Sequence, residues 1–383
     1  MQNILTPHVL HLIDLLDGRA RIVGGAVRDR LSNIPVHDID LATELSPHEV
    51  VTRLQRAGIR LNTTGMKHGT IMAIIDRIPY EITTLRQDID TNGRHATVAF
   101  TNSYELDAQR RDFTINALYM DKNGTLYDYV GGRQDLEHKL VRFIGNASDR
   151  VQEDYLRILR YFRFWGKMGC HAVDKEAITA CQTHMDGLKN ISGERKREEI
   201  FRILRLPTCV QVLTLMQHYG ILSYIIPTAH LTALERLLSV FPSAELEERL
   251  AVLTNTTKDL PELSLSRSQT KLITDLIKPY TCQNNLPQER LSLYQVGERV
   301  YRFYVYRALS NKKIPLSLAN RLLSLQKPTF PVRGQDFINL GFSAGKSIQT
   351  YLDTTQRLWA ENGFSDNKEL VLDLFLVYNK KKR

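Results

Sequence analysis

Cysteine is scarce in this chain: Cys170, Cys181, Cys209 and Cys282 are the only four in 383 residues, and no two form a CxxC pair. Such scattered thiols, with no histidine cluster nearby, exclude a disulfide framework or zinc ribbon and fit a reduced, cytoplasmic protein. Long apolar runs are missing too: none approaches the ~20 residues needed to cross a bilayer, so no membrane partner is expected. The opening stretch MQNILTPHVLHLIDLLDGRA has apolar residues at helical spacing, but His11, Asp14 and Asp17 interrupt it. Without a basic start or a small-residue cleavage site it does not read as a secretory signal. No internal repeat of fixed period is found, and no low-complexity tract beyond the closing KKKR.

What remains is the composition of a soluble globular protein, 43% hydrophobic and 24% charged. The length suits two or three domains. With 51 Lys and Arg against 42 Asp and Glu, the formal net charge is +9, which leans toward a polyanionic partner although many basic proteins bind no nucleic acid.

The first ~140 residues mix strand and helix signals. RIVGG (21–25), HDIDLAT (37–43), TIMAII (70–75), YEITTLR (80–86) and TLYDYV (125–130) are short and β-rich. Helix patterns lie between them at AVRDRLSN, at SPHEVVTRLQRAG with a Ser46/Glu49 capping box, and in the segment ending in DFTINALYM. From about residue 150 strand signals fade. Amphipathic stretches then run over 151–168, 194–205, 232–254, 266–279, 288–310, 346–361 and 367–378, punctuated by proline and glycine. The fold expected is an α+β N-terminal head, a mixed sheet with helices, followed by an all-α C-terminal region.

In HDIDLAT, strand alternation puts Asp38 and Asp40 on one face and turns Ile39 and Leu41 to the core. Two carboxylates so placed make a platform for divalent metal, and hard oxygens suit Mg²⁺; two solvated acids at a strand end would read the same way. Just upstream, Gly24 and Gly25 leave a strand and open a helix, where backbone N–H groups attract phosphate, and Arg28 projects one turn later. In EDYLRILRYFRF a step of ~100° per residue puts Ile158, Leu159, Phe162 and Trp165 on one arc. Asp154, Arg157, Arg160 and Arg163 form a continuous spiral on the other, either a solvated face or a seat for an anion that relieves the repulsion among three cations. An Asp and an Arg together can also read a base edge: the carboxylate accepts from an exocyclic amine and the guanidinium donates to a ring nitrogen or carbonyl. Cytosine and adenine offer that order, guanine and uracil the reverse.

GGAVRDxLxxxPxxDxD resembles the nucleotidyltransferase signature of the class II CCA-adding enzyme and bacterial poly(A) polymerase family. TGMKHGTI (64–71), RRDFTINALYMD (110–121), GTLYDYVGGRQDL (124–136), EDYLRILRYFRF (153–164) and ISGERKREEI (191–200) resemble its later motifs in order, with Lys196 where the family has an aliphatic residue. The likeness covers roughly residues 20–230 and thins beyond.

The resemblance implies a nucleotidyltransferase head over 1–145, a helical neck that recognises the base over 146–230, and a helical body and tail over 231–383 that bind tRNA. It implies template-independent addition of CCA to the tRNA 3′ end from CTP and ATP, with Asp38 and Asp40 catalytic and holding two Mg²⁺ ions. Nucleotide contacts are implied for Gly24, Gly25, Arg28, Arg111, Asp112, Asp154, Arg157, Arg160 and Arg163; Asp112 would position the ribose or Arg111, or serve only as a helix N-cap. Poly(A) tailing and partial, CC- or A-only, addition are the enzymatic alternatives, and a noncatalytic RNA-binding protein is the alternative from another class.

The GRRF-like stretch of poly(A) polymerases is absent, TGMKHGTI standing in its place, which favours tRNA maturation. The stretch 86–109 is long enough for the loop that terminal A addition requires, with Asn92 and Gly93 as a mobile tip. The only HD doublet, His37–Asp38, already belongs to the acid pair, so no phosphohydrolase activity is expected. In PVRGQDFINLGFSAGKSIQ (331–349) a glycine turn before Lys346 resembles the family's tail and would meet tRNA backbone phosphate, or merely connects helices. Oligomeric state is not legible in the sequence.

Overall fold

The computed structural model describes residues 3–92, 95–258, 260–345 and 347–381. They form two compact units, Met1–Ala229 with Asp259–Leu265, and His230–Lys258 with Ser266–Arg383.

The first unit opens with α1 (Pro7–Leu15), whose N-terminus is capped by the Thr6 hydroxyl accepting from the Val9 amide. There follow β1 (Ala20–Val23), α2 (Gly25–Leu31), β2 (Asp40–Thr43), α3 (Pro47–Arg56), β3 (Arg60–Asn62), β4 (Thr70–Ile75), β5 (Ile78–Thr84), β6 (Arg86–Asn92) and β7 (His95–Phe100). Next come α4 (Tyr104–Gln109), β8 (Leu118–Met120), β9 (Leu126–Asp128), α5 (Gly132–Glu137), α6 (Ala147–Glu153), α7 (Leu156–Lys167), α8 (Lys175–Thr183), α9 (Gly193–Leu204) and α10 (Cys209–His218). Seven strands build one mixed sheet in the order β3-β4-β5-β2-β1-β8-β9. All its pairs are antiparallel except β2 with β5. The expected capping box is made: the Ser46 hydroxyl accepts from the Glu49 amide and the Glu49 carboxylate from that of Ser46.

Register explains where the acids lie. β1 ends at Val23 because the chain turns at Gly24, and Val23 pairs with Asp40, so β2 has no partner on its β1 side upstream of Asp40, where the strand begins. Asp38 therefore precedes the strand, correcting the expectation that both acids share one pleated face. Leu41 is fully buried and Ile39 only half-buried. DFTINALYM is not helical: Thr114–Asn116 is a single 3₁₀ turn and Leu118–Met120 is β8. Phe113, Ile115, Ala117, Leu118, Tyr119 and Met120 are all buried, and so short an apolar-rich stretch does not distinguish a helix from a strand. The stretch expected as a loop over 86–109 is instead the hairpin β6–β7, paired from Arg86 with Phe100 to Asn92 with His95 with a one-residue register shift between Asp88 and Asp90, followed by α4. Gly93 lies outside the described residues.

The expected helix over 151–168 breaks at Asp154, which is extended at φ −156° between α6 and α7. The buried arc of α7 is as expected, with Ile158, Leu159 and Phe162 fully enclosed and Trp165 nearly so. The stretch 260–265 returns to this unit, and its 3₁₀ turn Pro261–Leu263 packs on α9. There the Lys196 ammonium reaches the Glu262 carboxylate at 3.3 Å, and the Arg197 guanidinium donates to the Ser264 carbonyl. Lys196, 3% exposed, keeps its stem buried and still finds an acid for its charge.

The second unit is helical among its described residues. Leu231–Val240 and Leu246–Thr254 divide the expected 232–254 helix at the Pro242 loop, and Leu286–Val296 and Glu298–Ser310 divide 288–310 at Gly297, whose φ is +83°. One core gathers Leu293, Tyr301, Val305 and Leu322; another gathers Phe337, Trp359, Val371 and Phe375. Lys346 lies outside the described residues, directly before the helix Ser347–Glu361.

Candidate active site

One cavity of about 710 Å³ in the first unit is lined by Gly24, Gly25, Arg28, Asp38, Asp40, Arg111, Asp112, Asp154, Arg157, Arg160 and Arg163. All candidate residues expected from the sequence, Lys346 excepted, thus meet in one place. Nine arginines and Lys167 face five aspartates along its wall, a balance that suits a polyanion. A second cavity of about 720 Å³, lined by Arg30, Met120, Arg133, Lys139 and Lys167 among others, contains neither signature aspartate.

The turn after β1 depends on glycine. Gly24 sits at φ +68°, ψ −118°, closed to L side chains, and its amide donates to the Leu118 carbonyl at 2.9 Å. Its amide is thus already bonded within the sheet, and the first-turn amides of α2, which have no intrahelical partner, begin at Gly25. A Cβ on Gly24 would stand 3.3 Å from the Asn116 carbonyl and 3.4 Å from Arg111 Nη1. Gly24→Ala should cost on the order of 1–3 kcal/mol in urea unfolding and raise the nucleotide KM. Gly58→Ala, at φ +73° with nothing within 4 Å, should cost only the backbone part and leave KM alone. Equal KM in both variants would contradict the fit around Gly24.

Asp40 opens β2 directly beside this turn, and the parallel pairing with β5 puts Glu81 next to it. Its side chain is reached by solvent but hemmed in by protein around the cavity. That enclosure, with Glu81 and Asp38 adding negative charge and Arg111 opposing, pushes its carboxyl up to about 6. Crowded carboxylates gain from a shared cation. No group of three or more His, Cys, Asp or Glu side chains that could hold a metal is found among the described residues. Asp38 and Asp40 both line the cavity, and paired hard carboxylate oxygens are the kind of donor that suits Mg²⁺, which keeps several water and phosphate oxygens as its other ligands.

Arg28 does not reach out alone. Its guanidinium, 5% exposed, is held by Asp29 at 2.7 Å and by the Asn116 side-chain carbonyl, and lies 4.8 Å from the centre of the Phe164 ring. Lys167 closes on the other Asp29 oxygen at 2.7 Å. Arg163 and Arg160 flank the same ring at 4.1 and 5.4 Å, so Phe164 is a platform under three guanidinium groups.

The repulsion expected among the α7 arginines is already reduced by Glu199, which pattern reading passed over, and by Asp112. Glu199 on α9, 2% exposed, takes Arg163 at 2.6 Å and Arg202 at 2.9 Å, with Arg160 at 4.0 Å. Asp112 accepts from the Phe113 backbone amide at 2.9 Å, the Asn116 side-chain amide Nδ2 at 3.0 Å and Arg160 Nε at 2.7 Å. Burial alone would push its carboxyl up, but Arg160 and Asn116 hold it down at about 2. Asp112 caps no α-helix; it anchors Arg160.

Asp154 and Arg157 line the cavity, the Arg157 amide donating to the Asp154 carbonyl at 2.9 Å, while their side chains bond to other partners. Asp154 accepts from the Leu156 amide at 3.1 Å on one oxygen and from Arg195 at 2.7 Å on the other. Arg157 uses one nitrogen, Nη1, for the Arg150 carbonyl at 2.7 Å and for Glu153. A carboxylate has about four lone-pair sites and a guanidinium five N–H donors, so both retain capacity to meet a base edge. The signal for Arg195, Glu199 and Arg202 was present in their spacing: steps of four and three put them on one face of α9. Asn116 sits inside a quoted motif but carries no charge to single it out.

Two family models match this chain: the poly A polymerase head domain over residues 20–142, and the probable RNA and SrmB-binding site of polymerase A over residues 172–231. The chain is 37% identical to the CCA tRNA nucleotidyltransferase 1, mitochondrial, of Danio rerio, over 92% of this chain and 86% of the relative. It is 35% identical to the Homo sapiens protein of the same name, over 97% and 90%. The crystal structure of the Bacillus stearothermophilus CCA-adding enzyme in complex with CTP matches with a TM-score of 0.78 at 26% identity, over 100% of this chain and 99% of that one.

Proposed function

The chain belongs to the CCA-adding tRNA nucleotidyltransferase family, and from that premise we propose how its cavity divides the labour. The enzyme adds CCA to the 3′ end of tRNA from CTP and ATP without a nucleic-acid template and releases pyrophosphate. The single observation that carries the site assignment is the convergence of the acid pair, the Gly24 turn and the motif arginines on one cationic cavity.

Family members use divalent metal, and Asp38 and Asp40 would hold it, as two Mg²⁺ ions. When bound, such ions activate an attacking hydroxyl and stabilise a leaving phosphate. Arg28, Arg111, Arg160 and Arg163, with the amides from Gly25 onward, bind and orient the triphosphate. Asp112 keeps Arg160 turned to the cavity. Asp154 and Arg157 read the base. The tRNA 3′ hydroxyl attacks the α-phosphate in line, the bond to the β-phosphate oxygen breaks, and pyrophosphate leaves with that electron pair; no covalent enzyme intermediate is needed.

Residues 1–145 serve catalysis, 146–230 base recognition, and 231–383 the grip on tRNA, Lys346 included. The four free thiols suit a reducing compartment, and we assign the enzyme to the cytoplasm. No helix among the described residues is long and apolar enough to cross a membrane.

The test offers tRNA ending at the discriminator base, at C or at CC to the protein with Mg²⁺ and one nucleotide at a time. CTP should extend the first two and ATP only the third. Extension of the CC end alone would make it an A-adding enzyme, arrest at CC a CC-adding one, and an adenosine ladder on every primer a poly(A) polymerase.

A further inference from the structure

Asp107 has no part in the mechanism above, yet it is the most heavily bonded carboxylate beside the cavity. It lies on α4, five residues before Asp112, and is 1% exposed. One oxygen accepts from Arg110 Nε at 2.8 Å and lies 3.4 Å from the Arg86 amide at the foot of the β6–β7 hairpin. The other accepts from the Tyr119 hydroxyl at 2.7 Å, from Arg111 Nη2 at 3.0 Å and from Arg111 Nε at 3.2 Å. The Nε–Nη2 edge of Arg111 is thereby fixed, and Nη1 is the nitrogen that stands against Gly24. From the geometry we infer that Asp107 is a positioning residue, which clamps the inner edge of Arg111 so that Nη1 is presented to the phosphates of the incoming nucleotide above the Gly24 turn.

The electrostatics agree. Burial would lower the affinity of Arg111 for its proton, but Asp107 reverses the effect and holds it firmly charged. Burial likewise pushes the Asp107 carboxyl up, and Arg111 and Arg110 bring it below its ordinary value. Stability alone is a poor reason to keep such a cluster, because well-packed apolar residues replace buried ion pairs at little cost. Aiming a donor is a better one. Every nucleoside triphosphate carries the same phosphates, so the clamp acts alike on CTP and ATP. That separates it from Asp154 and Arg157, which act on the base.

The inference rests on the reading of the cavity given above, and the experiment keeps the two apart. Wild type, Asp107→Asn, Arg111→Ala and the double variant are compared for KM and kcat with CTP and ATP on full-length protein, beside tRNA binding and thermal melts. Asp107→Asn keeps the shape but loses the charge and an acceptor. Its KM for both nucleotides should rise together by about 10- to 100-fold, the loss of a buried hydrogen bond to a charged group, with their ratio and tRNA affinity unchanged. In the Arg111→Ala background the second change should add less than about twofold. Should Asp107→Asn not fold, Asp107→Glu, which keeps the charge and shifts it by one methylene, carries the same comparison with a smaller rise. Wild-type KM in Asp107→Asn, a change in the CTP-to-ATP ratio, or losses that multiply in the double variant would overturn the clamp. Failure of the wild type to extend tRNA would instead bring down the reading beneath it.

Discussion

Asp40→Ala is expected to reduce nucleotide addition by at least about 10³-fold, the scale set by several kcal/mol of lost metal-assisted charge stabilisation. Asp38→Ala should do the same. Neither change should disturb the fold. Asp40 stands at the open end of β2, where its carboxyl is already destabilised by enclosure and by Glu81, and Asp38 lies in the exposed segment before the strand. The apolar neighbours that hold β2 in the sheet, Leu41 and Ala42, are untouched. The melting temperature should stay at or slightly above that of the wild type, because one of two crowded negative charges is removed. tRNA affinity, carried by cationic surface, should also persist. Single-turnover extension of labelled tRNA, beside a filter-binding assay, separates these outcomes. An Asp38→Ala protein within tenfold of wild-type turnover would remove the acid pair from the metal.

The second large effect concerns the base rather than the rate. Asp154→Asn should weaken the preference for C and A over G and U by roughly 10- to 150-fold, the 1–3 kcal/mol of discrimination that a well-made base contact supplies. The carboxylate can only accept, so it selects an exocyclic amine. An amide in its place can turn its NH₂ toward the carbonyl that guanine or uracil presents there. The backbone partner of Asp154, the Leu156 amide, can still be served by the amide oxygen. The Arg195 partner cannot be served as well, since the amide has lost its charge. Arg157→Ala should relax the same choice from the donor side, while the Arg150 and Glu153 groups it now engages lose their cation. Misincorporation assays with each of the four nucleotides check both variants. Unchanged selectivity in Asp154→Asn, with only a slower rate, would reassign Asp154 to holding Arg195 and the break between α6 and α7.

Much of this site could be read from the chain because its chemistry is local. The glycine pair, the acid pair and the arginines at three-residue steps are short patterns, and each residue lines the cavity. The sheet was legible in part: β1, β2, β4, β5 and β9 overlap the expected strands, whereas β3, β8 and the β6–β7 hairpin were not foreseen. What sequence could not show is pairing between distant segments. Asp112 meets Arg160, Asp154 meets Arg195 and Arg163 meets Glu199 across separations that no periodicity encodes. The spiral from Asp154 to Arg163 is helical from Leu156 onward and breaks only at Asp154, for a local reason: Asp154 bonds its carboxylate to the amide two residues on, a competitor to the helical ladder that Asp favours at helix ends. Asp38 was misread because strand alternation was extended past the residue at which β2 begins and its pairing with β1 ends.

The central claim is that one cavity selects C twice and then A and stops. The most direct measurement gives the wild-type protein a tRNA lacking its 3′ terminus, Mg²⁺ and all four nucleotides at equal concentration, and sequences the 3′ ends formed. Ends of CCA, with neither guanosine nor uridine and no further extension, are the predicted result. Long adenosine tails, a mixture of all four bases or unextended tRNA would contradict it.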